Sequence, residues 1–419
     1  MRYRFPYEWA DTLDTEALSP CSVYEAPRAA ACAAADLRAC LEAPILAPPL
    51  AAMLREAKAR RVLILADDLT RPTPQREMLP PLLERLKQAG ICEEDITLLV
   101  ATGLHRGMNG REIEERFGGR VAGKVRVVNH DAYNKESQIL LGRAEDGTPI
   151  RVNRLAVEHD FIIAVGCIEP HRIGGFSGGA KMVQPGICGE EITASLHWHG
   201  WLEEGEALYG VVDNPIRREM EGLGEKAGLR FIVNVVLDAD GRPRRYFAGD
   251  PRKAFRAGCA QARSLCSVAV RRADIVVVDS HPFDLDLWQA CKAVSVAELV
   301  VRRGGTIILV TPCPEGLSRH GPQIRRSGYL PKSEILKRVG EGSLKDLSIA
   351  CHLMALGRIL ARGELLIVSA GLEADLLQEV GLRSAPGVAE AIRMARARLG
   401  REAEIGILKQ GCTLIPAAA

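Results

Sequence analysis

Nine short runs of β-branched and aliphatic residues recur along the chain, at 62–65, 96–100, 125–128, 161–165, 231–237, 275–278, 306–310, 365–368 and 404–408. Runs of this length without polar alternation read as strands buried on both faces. The segments 214–227, 253–266, 286–302, 344–361 and 387–399 carry apolar residues at helical spacing. A further helix is expected at 81–88, opening on prolines where a helix tolerates them and stopping before Gly90. Strands alternating with helices imply βαβ units and parallel sheet. At 419 residues the chain is longer than one hydrophobic core usually serves. The expected fold class is therefore α/β with two domains, each a mainly parallel sheet flanked by helices, and the active site in the cleft between them. The boundary falls between Cys266 and Asp274, giving an N-terminal domain of residues 1–270 and a C-terminal doubly wound domain of residues 271–419. The Ala- and Pro-containing first 50 residues read as an irregular arm on the first domain.

Charge and cysteine usage narrow the function classes. Lys plus Arg number 55 and Asp plus Glu 53, a net charge of +2, which excludes a strong electrostatic pull on nucleic acid or an acidic membrane. The 12 cysteines, Cys32 among them, form no C-x-x-C pair and are expected to be reduced. No apolar run approaches the length of a membrane helix and the N-terminus has no signal-peptide core, so a cytoplasmic location is expected. Small-molecule chemistry remains.

The densest chemical signal runs from Gly166 to Gly186 (GCIEPHRIGGFSGGAKMVQPG) and follows the 161–165 strand, where α/β folds place ligands. Gly174, Gly175, Gly178 and Gly179, with Ser177 among them, would let the backbone approach a phosphate or other anion closely. Lys181 is followed by Met182, so the segment is not a Walker P-loop. It is either a glycine-rich turn with a surface lysine or a nucleotide cradle with a reactive one. Asp67, Asp68, Thr70 and Arg71 (DDLTRPTP, 67–74) follow the first strand. Arg71 could grip a carboxylate bidentately while Asp68 orients its neighbours; Asp67 and Thr70 could equally be helix caps. His105 (ATGLHR, 101–106) follows the next strand, and His105 and His171 thus both lie in strand-end loops. His197 and His199 lie two apart on an expected helix and face different ways, so at most one would bind a given metal. No zinc-type spacing supplies further protein ligands. In the C-terminal half, Trp288, Gln289 and Lys292 open a helix, with the amide and the ammonium on one face, suited to a carboxylate or carbonyl oxygen.

Together DDLTRPTP, ATGLHR, EPHRIGGFSGGAKMVQPG, His197 and WQACKA (288–293) resemble the nickel-pincer nucleotide-dependent lactate racemase family, over roughly residues 20–410. The 213–217 segment and the Gly249–Asp250 pair fit the same pattern. The resemblance implies a racemase or epimerase of a small 2-hydroxy acid. It implies nickel held in a pyridinium-3,5-bisthiocarboxylate mononucleotide attached covalently to Lys181, with His197 the protein ligand to the metal and Asp68 near the cofactor. His105 and His171 would be the acid/base pair, since inversion needs a proton acceptor for each enantiomer. Arg71, Gln289 and Lys292 would hold substrate. The family typically shows Tyr at the position of Trp288, beside the substrate pocket, so this departure bears on which 2-hydroxy acid is taken. Implied partners are that substrate and the cofactor's maturation enzymes, with a homo-oligomer left open. Two other classes fit the residues alone: a lysine-centred Schiff-base or hydro-lyase enzyme without nickel, and a non-catalytic binder of nucleotides or sugar acids.

Overall fold

The computed structural model describes residues 2–27 and 36–418; Cys32 lies outside them. The chain divides into two compact units, one made of residues 28–200 and 207–265 and the other of 1–27, 201–206 and 266–419. Both are α/β.

The first unit is built on a six-stranded sheet in the order Pro243–Gly249, Leu229–Leu237, Phe161–Cys167, Val62–Ala66, Ile96–Val100, Arg126–Asn129. All neighbours run parallel except the Pro243–Gly249 edge, which pairs antiparallel with Leu229–Leu237. Val62–Ala66, Ile96–Val100 and Phe161–Cys167 are buried at every position, as unbroken apolar runs demand. Their parallel direction brings three carboxyl ends, and the loops after Ala66, Val100 and Cys167, to one edge of the sheet.

One helix begins earlier than the sequence suggests. It runs Gln75–Gln88 with Pro80 and Pro81 inside it rather than at its start. Two interior prolines cost on the order of 6 kcal/mol in lost hydrogen bonds and ring clashes. Met78, Leu79, Leu82, Leu83 and Leu86 are buried on its inner face, and roughly 1.5–3 kcal/mol for each such side chain outweighs that cost.

The second unit carries a fully parallel sheet in the order Arg383–Ser384, Glu364–Ser369, Val301–Thr311, Ala273–Asp279, Ile405–Leu408, Cys21–Tyr24. The strand order turns back at Ala273–Asp279, as in a doubly wound fold. Here the sequence-based division needs correcting: residues 1–27 do not pack as an arm on the N-terminal half. Cys21–Tyr24 is the edge strand of this sheet, and Tyr3, Phe5 and Leu13 join its core. Among the described residues no helix is long and apolar enough to cross a membrane.

His130 shows how the first unit buries polar groups. It follows the Arg126–Asn129 edge strand and is almost fully enclosed. Its Nε2–H donates to the Cys188 carbonyl at 2.9 Å and its Nδ1 accepts from Asn153 Nδ2 at 3.2 Å. Burial lowers its pKa from 6.5 to about 4. Above pH 6.5 the ring is neutral folded or unfolded and contributes no pH dependence. Below it the unfolded chain takes up a proton that the folded ring refuses until about pH 4, so stability falls across that window by about 3 kcal/mol. His130→Gln keeps a donor for Cys188, and its stability should fall less steeply between pH 6.5 and 4, by about 1.4 kcal/mol per pH unit. Chemical denaturation across pH measures this; identical acid limbs in variant and parent would contradict it.

Candidate active site

The loop after Ala66 begins with two acids of different use. Asp67 accepts from Thr73 Oγ1, from Gln75 Nε2 at 2.8 Å and from Arg116 at 2.6 Å, so it braces the turn into the following helix. Asp68, 4% exposed, faces His105: its Oδ2 lies 2.8 Å from His105 Nδ1, and its Oδ1 accepts from the Thr70 amide at 3.0 Å and hydroxyl at 2.6 Å. Burial alone would raise the Asp68 carboxyl, but the His105 ring beside it, the hydrogen bonds from His105 and Thr70, and Arg71 hold it well below the usual carboxylate range. An ionised carboxylate can only accept, so His105 carries a proton on Nδ1, and in the neutral ring the lone pair then lies on Nε2. This is the orientation a general base requires.

Arg71 lies beside the pair and is already engaged. Its Nε is 3.2 Å from Glu169 Oε1, and its Nη1 donates to the Thr70 carbonyl at 2.8 Å. Glu169 was not singled out from the sequence, although its place two residues before His171 at a strand end was a usable signal. A substrate carboxylate approaching Arg71 would share the guanidinium with Glu169.

The glycine-rich segment after Cys167 is a small hairpin, Pro170–His171 pairing antiparallel with Gly175–Phe176, followed by a tight turn, Gly179–Met182, that carries Lys181. His171 Nδ1 accepts from the amides of Ile173 at 3.2 Å and Gly174 at 3.1 Å. The neutral His171 ring therefore holds its proton on Nε2, the opposite tautomer to His105. Ser177 braces the loop: its hydroxyl donates to the Cys167 carbonyl at 2.8 Å and accepts from the Glu169 amide at 3.1 Å. The Gly179 amide donates to Asn234 Oδ1 at 2.9 Å. The Gly174 and Gly179 N–H groups are thus spent inside the protein rather than aimed at an anion. What the glycines supply is closeness. Gly175 has φ +72°, and a Cβ there would lie 1.9 Å from the Val211 carbonyl. The loop is also tied to the one bearing His105 through Gly103 N–H to the Gly186 carbonyl at 3.0 Å.

Lys181 is 9% exposed. Its charge acts on His197, whose pKa is lowered to about 4 by desolvation first and then by Lys181 and His105. His197 lies on the helix Glu190–Leu202, and its Nδ1 donates to the Thr193 carbonyl one turn back at 2.8 Å. That leaves a neutral imidazole with its lone pair on Nε2, the form that binds a transition metal. Among the described residues no three His, Cys, Asp or Glu side chains gather to hold an ion. A metal at His197 would need donors from a bound group. A neutral imidazole beside a buried lysine fits a lysine-tethered metal cofactor. His199 is exposed.

In the other unit, Asp286 caps the helix Leu287–Val300 by accepting from the Gln289 amide at 2.8 Å. Lys292 Nζ donates to Gln289 Oε1 at 2.5 Å and sits 4.1 Å from the centre of the Phe283 ring. Trp288 stacks on His352, with ring centroids 4.2 Å apart and planes 3° from parallel, and His352 Nε2 lies 2.6 Å from the Tyr329 hydroxyl. Burial lowers the His352 pKa to about 3, so this ring stays uncharged against Trp288.

Residues 12–209 match the lactate racemase N-terminal domain and residues 268–416 the lactate racemase C-terminal domain. A lactate racemase from Thermoanaerobacterium thermosaccharolyticum is 30% identical over 366 residues, 86% of this chain and 85% of the relative. One from Lactiplantibacillus plantarum is 30% identical over 358 residues, 84% of each chain. The lactate racemase apoprotein structure from T. thermosaccharolyticum superposes with a TM-score of 0.81 at 29% identity, covering 91% of this chain and 92% of that one. A Thermotoga maritima structure at 24% identity and TM-score 0.72 shares the fold.

The opposed tautomers are directly measurable. With 15N-labelled histidine at a pH where both rings are neutral, His105 should report its proton on Nδ1 and His171 on Nε2. Asp68→Asn should shift His105 toward a mixture of the two forms. His105 protonated on Nε2 in the parent protein would contradict the geometry.

Proposed function

This chain belongs to the lactate racemase family, and we propose on that footing that it inverts C2 of a small, lactate-like 2-hydroxy acid as a racemase or epimerase. The observation that carries the proposal is the buried Asp68 carboxylate on His105 Nδ1, which leaves Nε2 as a base of fixed direction. The family's nickel-pincer nucleotide would be held covalently by Lys181 and through the metal by His197. Asp68 and the close-packed backbone at Gly174, Gly175, Ser177, Gly178 and Gly179 would border it. When bound, that cofactor supplies an acceptor for the C2 hydrogen together with its electron pair.

The chain's own residues do the rest. A 2-hydroxy acid's C–H is too weakly acidic for a side-chain base, whereas its hydroxyl proton can be taken by an imidazole. His105 Nε2 takes that proton from one enantiomer, and the ionised Asp68 stabilises the imidazolium that results. His171 performs the same duty for the other enantiomer. To act as a base at Nε2 its ring must leave the Ile173 and Gly174 amides, so its proton transfer is coupled to rotation of the His171 ring over a fixed hairpin. Arg71, Gln289 and Lys292 are assigned to the substrate carboxylate and oxygen atoms, and Trp288 to the wall beside them.

Protein co-expressed with the family's maturation enzymes is expected to gain the cofactor's mass and nickel in proportion, and Lys181→Ala to gain neither. In the loaded protein Asp68→Asn should lower kcat by roughly 10²-fold or more in both directions with little change in KM. Intact mass, metal analysis and kinetics from each enantiomer measure these. Turnover by nickel-free protein would favour a Schiff-base or hydro-lyase enzyme. Ligand binding without turnover, unchanged by replacing His105 and His171, would favour a non-catalytic binder.

A further inference from the structure

Arg217 is among the most deeply buried side chains in the protein, with 0% exposure. It opens the helix Pro215–Lys226, where Asn214 caps the helix by accepting from the Arg217 amide at 2.8 Å. A buried guanidinium normally sits on a carboxylate. This one makes no ion pair among the described residues; the neighbouring Glu221 is taken by Arg256 at 2.8 Å. All its side-chain hydrogen bonds go to carbonyls of the glycine hairpin. Nε donates to Gly174 at 3.0 Å, Nη2 to Phe176, and Nη1 to Gly178 at 3.3 Å. The Phe255 ring covers the guanidinium at 4.3 Å, and the same ring lies against Gly179, where a Cβ would come within 2.8 Å of it.

These contacts bear on Lys181 through one shared atom. The Gly178 carbonyl that receives Arg217 Nη1 also receives the Lys181 amide at 3.2 Å, the bond that starts the tight turn. Asn234, on a central strand, holds the next amide, that of Gly179, and with its Nδ2 the Gly166 carbonyl at 3.2 Å. The backbone leading into Lys181 is thus held through its carbonyls by Arg217 and through its amide by Asn234. A lysine ammonium could not span three carbonyls in this way, because its donors diverge from a single point, whereas a guanidinium presents them in a rigid plane. Burial depresses the Arg217 pKa only to about 10, so the group stays charged at neutral pH and its bonds to the carbonyls are charge-assisted.

We propose that Arg217 is a positioning residue for Lys181, a buried template that folds the glycine hairpin before any cofactor arrives and presents the lysine amine in one geometry for covalent attachment. This rests on the reading of Lys181 as the attachment point, but the pre-formed loop can be tested without it. In the cofactor-free parent protein the Gly179 and Lys181 amides should exchange with solvent deuterium slowly. In Arg217→Lys they should exchange about a hundredfold faster, since the charge-assisted bonds to the loop carbonyls are lost, while the amides of Phe161–Cys167 stay protected. Fast exchange of the loop in the parent, or no acceleration in the variant, would overturn the proposal.

The second arm is covalent loading after co-expression with the maturation enzymes, read as the mass of the Lys181 peptide. Arg217→Lys should load at least about tenfold less than Leu82→Ala, a core truncation in the helix Gln75–Gln88 that tests stability loss alone; a tenfold loss is about 1.4 kcal/mol of misplacement. Equal losses in the two variants would make Arg217 merely structural, and normal loading in Arg217→Lys would remove its role. If the parent acquires no mass on Lys181, the attachment reading fails, and the exchange result still decides whether Arg217 templates the loop.

Discussion

A carboxylate such as Asp68 cannot remain charged at the end of a buried strand unless its surroundings replace the water it has lost. Thr70 supplies two donors and His105 a third, and with them the acid is held ionised inside the protein. The rest of the site follows from that constraint. Since the carboxylate must accept, His105 must donate through Nδ1, which in the neutral ring puts the lone pair on Nε2. Arg71 adds positive charge beside the acid while being tied back by Glu169 and the Thr70 carbonyl. The loop after Ala66 is therefore an orienting device for the one after Val100, and both rely on the parallel register of neighbouring strands.

The third strand-end loop, after Cys167, solves a related problem by other means. Two of its glycine amides are not aimed outward as anion donors, because those of Gly174 and Gly179 are consumed by His171 and Asn234. The glycines let backbone run against backbone, at Gly175 against Val211, closely enough for a single guanidinium to bind three carbonyls from within. Such a loop is rigid because of its glycines, the reverse of the usual association of glycine with freedom. A buried lysine and an uncharged imidazole on the helix Glu190–Leu202 are the outcome.

Much of this was legible in the chain itself. The central strands are unbroken apolar runs, and Ile96–Val100 and the helix Lys253–Cys266 lie where the sequence puts them. The helices Pro215–Lys226 and Leu287–Val300 were marked by the helical spacing of their apolar residues, and their caps, Asn214 and Asp286, emerge in the structure. The strand Cys21–Tyr24 was not legible: as a half-exposed edge strand it lacks the apolar run and pairs on one side only. The start of the helix at Gln75 was hidden by Pro80 and Pro81, whose local cost is overridden by tertiary burial. In the site, Asp68, His105, His171, Lys181 and His197 were marked by residue type at strand ends or on the following helix. Arg217 was marked only as part of the 213–217 segment and Asn234 not at all, and neither showed its work locally, because they act on backbone atoms between 39 and 68 residues away in sequence.

The claim beneath this account is that hydrogen leaves C2 with its electron pair while an imidazole collects the hydroxyl proton. Lactate deuterated at C2, inverted by cofactor-loaded protein in ordinary water, tests it most directly. The account predicts that deuterium stays on C2 through inversion in both directions. Loss of the label to solvent at the rate of inversion would mean that a base removes it as a proton, and would contradict the account.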